Sequence, residues 1–166
     1  MLEWITSKVV VSIAALLMLV SVGGFFAVQQ DGMKSSELKN ASDNLAKAIN
    51  QMSTMNSESN LVISFANDGK GAHLPSSLNG ERYSIELQRD FIFCKMAGKT
   101  VTSELYTNVH LFDPTSIDLS NTTLVRQKDL SHQSVKFSSV GEILILRERA
   151  GPPGAQGFET FIIYEG

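Results

Sequence analysis

The sequence predicts an α+β protein: a single N-terminal transmembrane helix continuing into an amphipathic helix, followed by an antiparallel β-sheet or sandwich head. Three observations carry this expectation. Val9–Val28, VVVSIAALLMLVSVGGFFAV, is an unbroken apolar run without a charged residue. Residues 31–60 are polar but keep one apolar stripe at helical spacing. From Leu61 onward the hydrophobic period drops to two, the signature of strands. The implied division is an anchor over 1–30, a stalk helix over 31–60 and a β domain over 61–166.

The anchor follows from length and solvation. A helix rises about 1.5 Å per residue, so the run covers roughly the 30 Å of a bilayer's hydrocarbon core. Its backbone amides are satisfied internally, as the lipid interior demands. Glu3 and Lys8 on one side, and Asp31 and Lys34 on the other, are placed to reach headgroups, with Trp4 as an interfacial aromatic. The competing reading is a cleaved secretory signal, which has a basic start and an apolar core of roughly 7–15 residues. Here Glu3 offsets Lys8, the core is longer, and Phe25 and Phe26 interrupt a small-x-small cleavage pattern. The expectation is therefore a retained, single-pass cell-membrane protein whose lipid partner is contacted through Val9–Val28.

Orientation rests on less. Lys8 and the α-amine face Lys34 and Lys39 across the run, a near tie by the positive-inside rule. Asn40-Ala41-Ser42 and Asn121-Thr122-Thr123 match the N-glycosylation pattern, which tips the expectation toward an extracytoplasmic C-terminal domain.

In the stalk, Leu38, Ala41, Leu45, Ala48, Met52 and Met55 alternate by threes and fours, and Ile49 widens the stripe. The seam lasts little more than two heptads, short of the three or four that specify a coiled coil. The expectation is a stripe laid on the adjacent domain, with self-association along the seam as the alternative. Alanines in the seam bury little apolar area, which favours packing on a sheet. With no proline between Val9 and Ser59, anchor and stalk form one helix in this reading, with Gly23, Gly24 and Gly32 as its weakest points.

The head begins with Leu61–Phe65, ended by Asn67-Asp68-Gly69. Pro75 and Asn79-Gly80 break the chain before the alternating strand Tyr83–Leu87. Gln88-Arg89-Asp90 connects it to Phe91–Met96, and Ala97-Gly98-Lys99 turns into Thr100–Leu105, a meander of antiparallel strands. Asp113–Asp129 reads as a long polar connection. Val135–Phe137 is a short strand, and Glu142–Arg147 pairs with Phe158–Tyr164 around the Pro- and Gly-rich tip Ala150–Gly157. Ile143 and Ile145 face opposite Leu144 and Leu146, so this strand is expected to be covered on both sides.

Composition narrows the function classes. The net charge is −3 and the pI near 5.6, with lysines and arginines scattered, which argues against nucleic acid as a partner. Cys94 is the only cysteine, so no intrachain disulfide forms, and its place between Ile92 and Met96 predicts a buried, inert thiol. His73, His110 and His132 lack a second ligand at metal-binding spacing. Gly69-Lys70-Gly71 lacks the rest of a phosphate loop and reads as a turn. Glu86 with Glu104 can be drawn as a carboxylate pair for glycoside hydrolysis, yet alternating strands produce outward carboxylates routinely. No catalytic, cofactor or metal residue is assigned, and no enzyme activity is expected.

One membrane helix, an amphipathic stalk and a β head together resemble type IV pilin-like proteins. Leu74-Pro75-Ser76-Ser77-Leu78-Asn79-Gly80 leading into Tyr83-Ser84-Ile85, the strand Phe91–Met96, and the closing Leu144–Arg149 with Phe161–Tyr164 are similar to archaeal pilin-like envelope proteins. The resemblance implies an envelope protein external to the cytoplasmic membrane, with other envelope or pilin-like proteins as partners. The chain departs from the pattern in two places. No basic leader precedes the apolar run, and Glu3, the only acidic residue near it, lies outside. The expectation is thus a permanently anchored, non-catalytic structural or interaction protein. The alternative is an extracytoplasmic ligand-binding or sensory module tethered by the same helix.

Overall fold

The computed structural model describes residues 2–65, 72–112, 131–150 and 157–165, with helix side chains described for 13–25, 29 and from 32 onward. The chain divides into two compact units, 1–36 and 37–166. One helix, α1 (Leu2–Ser53), crosses that boundary, and its assignment runs through Gly23, Gly24 and Gly32 without interruption. In the first unit the described apolar side chains of 13–25 are exposed, and the Ser21 hydroxyl donates to the Leu17 carbonyl at 2.8 Å. Among the described residues no helix is long and apolar enough to cross a membrane. The side chains of 9–12 and 26–28, which complete the run expected as an anchor, fall outside the described ones.

The second unit is α+β. Its strands are β1 (Ser59–Ser64), β2 (Ala72–His73), β3 (Ser84–Gln88), β4 (Phe91–Met96), β5 (Lys99–Glu104), β6 (Val109–Phe112), β7 (Ser134–Ser138), β8 (Glu142–Ala150) and β9 (Gly157–Glu165). They form a five-stranded sheet ordered β2-β1-β8-β9-β6 and a four-stranded sheet ordered β5-β4-β3-β7. The expected meander is present as β3-β4-β5, and the closing hairpin pairs β8 with β9 from Glu142↔Glu165 to Ala150↔Gly157.

Two ladders correct the all-antiparallel expectation: β1 with β2, and β6 with β9, are parallel. Parallel pairing needs a crossover longer than a hairpin turn, and the chain between β6 and β9 contains β7 and β8. Neither β2 nor β6 stood out by periodicity, because two and four residues carry too little alternation to register.

Short turns set the register. Asn79 and Gly80, with φ of 50° and 79°, close a two-residue turn in which Leu78 and Glu81 exchange both backbone hydrogen bonds. Ala97 and Gly98, with φ of 49° and 77°, do the same for β4 and β5. Positive φ at both central residues is what a type I′ hairpin turn requires, and glycine adopts it without a Cβ penalty.

The stalk stripe is part of this unit's core. Leu38, Ala41, Leu45, Ala46, Ile49 and Met52 are buried in one cluster with Ile63, Ile143 and Ile145 of the first sheet and Ile85, Leu87, Ile92, Cys94 and Met96 of the second. Helix residues 37–53 therefore lie in one compact unit with the strands, with the stripe packed on the adjacent domain as expected. Met55, the last position of the expected seam, lies beyond the helix end and is exposed. The sheets also meet through aromatics: Phe137 of β7 stacks on Tyr164 of β9 at 4.2 Å between centroids, and Phe65 approaches Tyr83 edge-on at 6.4 Å. On the opposite face of the first sheet, Phe112, Phe161 and Ile163 form a second small core with Leu144 and Leu146 packed against it. Ile143 and Ile145 of β8 are thus fully buried on the core face, whereas Leu144 and Leu146 on the other are half-buried beside their neighbours in the same sheet.

Candidate functional site

Two polar clusters join α1 to the sheets. At the first, the Lys39 ammonium bonds Asp43 Oδ1 at 2.5 Å, the Thr102 carbonyl at 2.9 Å and Ser103 Oγ at 3.2 Å. Ser103 donates its one hydroxyl proton to Asp43 Oδ1 at 2.6 Å. The 2.7 Å contact between Ser42 and Ser103 is therefore donated by Ser42. The Lys39 and Ser103 hydrogen bonds together hold the Asp43 carboxyl below its ordinary value. Further along the helix, Asn50 donates to the Glu104 carbonyl at 3.4 Å and accepts from the Tyr106 N–H at 2.9 Å. These side chains occupy backbone groups at the free edge of β5, an edge otherwise open to pairing with another chain.

The second cluster finishes the helix. Thr54 and Met55 close the last turn onto Gln51 and Met52, and no basic residue lies in that turn to meet the helix's negative end. Arg147 of β8 supplies the cation from the sheet. Its Nε donates to the Met55 carbonyl at 3.2 Å and its Nη1 to Thr160 Oγ1 at 2.9 Å. Thr160 in turn donates to Ser53 Oγ at 3.3 Å. The guanidinium also lies 5.6 Å from the centroid of the Phe158 ring.

Between α1 and the β5 edge runs an open groove of about 670 Å³. The buried Ala46 lies along it, and Lys39, Asp43, Lys47, Asn50 and Gln51 form the helix side. Thr102, Ser103, Glu104 and Tyr106 form the other. Asn50 pins the backbone that carries Tyr106, yet the ring itself is 86 % exposed. Among the described residues the side chains of Lys47, Gln51 and Glu104 make no hydrogen bond or ion pair, so the groove offers a cation, an amide and a carboxylate to a guest.

The residues singled out in the sequence are dispersed. Glu86 on β3 is held by Lys95 at 2.8 Å and Gln88 at 3.0 Å, which keeps its carboxyl low. Glu104 lies on β5 with β4 between them, so the two carboxylates do not form a pair. His73 is on the edge strand β2, whereas His110 is on β6 at the far edge of the same sheet. His110 stacks on Phe161 at 5.2 Å and places Nε2 3.1 Å from Glu159 Oε2. His132 bridges to Leu111 through its backbone N–H. Among the described residues no group of three or more His, Cys, Asp or Glu is placed to hold a metal ion. Cys94 is buried, and burial pushes its thiol up to about 11. The turns expected at Asn67-Asp68-Gly69 and Gly69-Lys70-Gly71 lie outside the described residues, as do the Asn121 tripeptide and the tip 151–156.

Sequence reasoning missed Tyr106, Lys47 and Arg147. Arg147 did carry a signal, because its parity with Ile143 and Ile145 puts it on the core face. Tyr106 and Lys47 carried none, since only the docking of α1 brings them to one groove. Comparison with protein families, curated proteins and solved structures returned no match.

Proposed function

We propose that this protein is a membrane-anchored, pilin-like structural or interaction protein of the cell envelope, non-catalytic, with its β head on the extracytoplasmic side. One observation carries the reading. Leu16, Leu17, Met18, Leu19 and Val20 are each between 62 % and 71 % exposed on an α-helix. Five successive helical positions, about 100° apart, point in every direction around the axis. A helix apolar on all sides belongs in a core or a bilayer, because exposed apolar area costs about 25 cal/mol per Å² in water. Ser21 satisfies its hydroxyl on the preceding turn, so it brings no unmet polar group into apolar surroundings. The sequence extends the described stretch to Val9–Val28, about 30 Å of helix.

The mechanism is tethering: the apolar segment holds the chain at the bilayer, and the head meets other envelope or pilin-like proteins. The local sequences that resemble archaeal pilin-like proteins include β4 and parts of β3, β8 and β9, the strands that build the head. The test is extraction of membranes with alkaline carbonate. The full chain is expected in the pellet, and Leu17→Arg weakens insertion by about 2.5–3.5 kcal/mol on translocon scales. A soluble protein with a mature N-terminus near Phe25 refutes the anchor.

A further inference from the structure

We propose that the groove between α1 and the β5 edge binds a neutral, hydroxyl-rich saccharide, with Tyr106 as the stacking platform. This goes beyond the anchored-scaffold reading and does not depend on it, since every residue of the groove lies in the second unit.

Three observations converge on this class of ligand. First, Tyr106 is 86 % exposed although its backbone is pinned by Asn50. Tyrosine in a folded head ordinarily buries much of its ring. Here the ring is held at the groove while contributing little to the core, which suits it to cover the C–H face of a sugar ring. Second, the charges cancel: Lys39 and Lys47 stand against Asp43 and Glu104, and Lys39 is already paired with Asp43. A groove without net charge has no electrostatic preference for phosphates, uronic acids or acidic peptides. Third, the polar groups left over are mixed in kind. Glu104 accepts, Lys47 donates, and the Gln51 amide does both. A sugar hydroxyl both donates and accepts, so adjacent hydroxyls match such a set. The groove's volume, about 670 Å³, lies within the range of small-molecule sites, and its open form suits a short stretch of polymer.

The experiment is saturation-transfer NMR on the full chain in lipid nanodiscs. The probes are neutral oligosaccharides: β-1,4-linked N-acetylglucosamine, α-1,4-linked glucose and α-1,6-linked mannose chains, beside an acidic uronate chain and an unstructured acidic peptide. At least one neutral chain is expected to receive saturation at its ring C–H protons. Tyr106→Ala is expected to raise its Kd at least tenfold and Glu104→Gln severalfold, with the melting temperature unchanged because both side chains are exposed. The proposal is overturned if no neutral chain binds at millimolar concentration, if only the uronate or peptide binds, or if binding is indifferent to Tyr106→Ala. Carbonate extraction of the same variants reads the anchor separately, so failure of one idea leaves the other standing.

Discussion

Truncating Leu45 to alanine discriminates between the two uses of the helix stripe. Leu45 is 0 % exposed and sits in a cluster that draws on α1 and both sheets. Removing a buried leucine side chain costs the lost transfer free energy plus a cavity term, about 2–5 kcal/mol. The upper part of that range is expected here, because Leu45 is fully buried among side chains of the helix and of both sheets. A domain is stable by only about 5–15 kcal/mol, so the loss is a large fraction of the total. Each kcal/mol shifts the melting temperature by a few degrees in a domain of this size, giving a fall on the order of 10 °C. The assay is thermal unfolding of the full chain in detergent micelles, followed by the β signal in circular dichroism, with sedimentation in parallel. Leu45→Ala is expected to melt earlier at unchanged mass. If it instead dissociates an oligomer while the melting temperature holds, the stripe is a seam between chains and the packing argument fails.

Two further perturbations probe the polar clusters. Arg147→Ala removes the charged donor to the Met55 carbonyl and to Thr160 Oγ1, which keeps its bond to Ser53, a loss of about 1.5–3 kcal/mol. Hydrogen exchange is expected to accelerate in residues 49–55, and Arg147→Lys to restore only part of the protection, since an ammonium lacks the planar fork; unaltered exchange in Arg147→Ala contradicts the role of Arg147 in holding the helix end. The Asp43 carboxyl is held below its ordinary 3.8 by Lys39 and Ser103, so in acid the unfolded chain binds the proton more readily. Its stabilising contribution is complete above 3.8 and lost as pH falls through the lower native value. The group is half exposed, so the effect is modest. Glu86, also lowered, acts with the same sign, and Asp43→Asn isolates the Asp43 share as a shallower fall of melting temperature below pH 4. Equal slopes in the two proteins reject a stabilising role for the Lys39 and Ser103 bonds to Asp43.

What was legible in the sequence was whatever local periodicity and turn chemistry dictate. The helical stripe Leu38–Met52, the β4 boundaries Phe91–Met96 and the Asn79-Gly80 and Ala97-Gly98 turns are each set within a few residues, by side-chain spacing or by the need for positive φ. The Ile143/Leu144 alternation likewise announced a strand apolar on two faces, one of which the structure buries fully and the other in part. The tertiary structure alone decided the rest. It paired β6 with β9 and β1 with β2 in parallel, ladders that the sequence could not announce because one member of each, β6 and β2, is too short to carry a periodic signal. It laid the stripe of residues 38–52 on the head, the use that the sequence favoured over a seam between chains, and chose the strands of both sheets that meet it. The groove came from the same docking. Lys47 on the helix and Tyr106 beyond β5 are 59 positions apart in the chain, and no spacing rule connects residues that meet only when a helix is laid along a sheet edge.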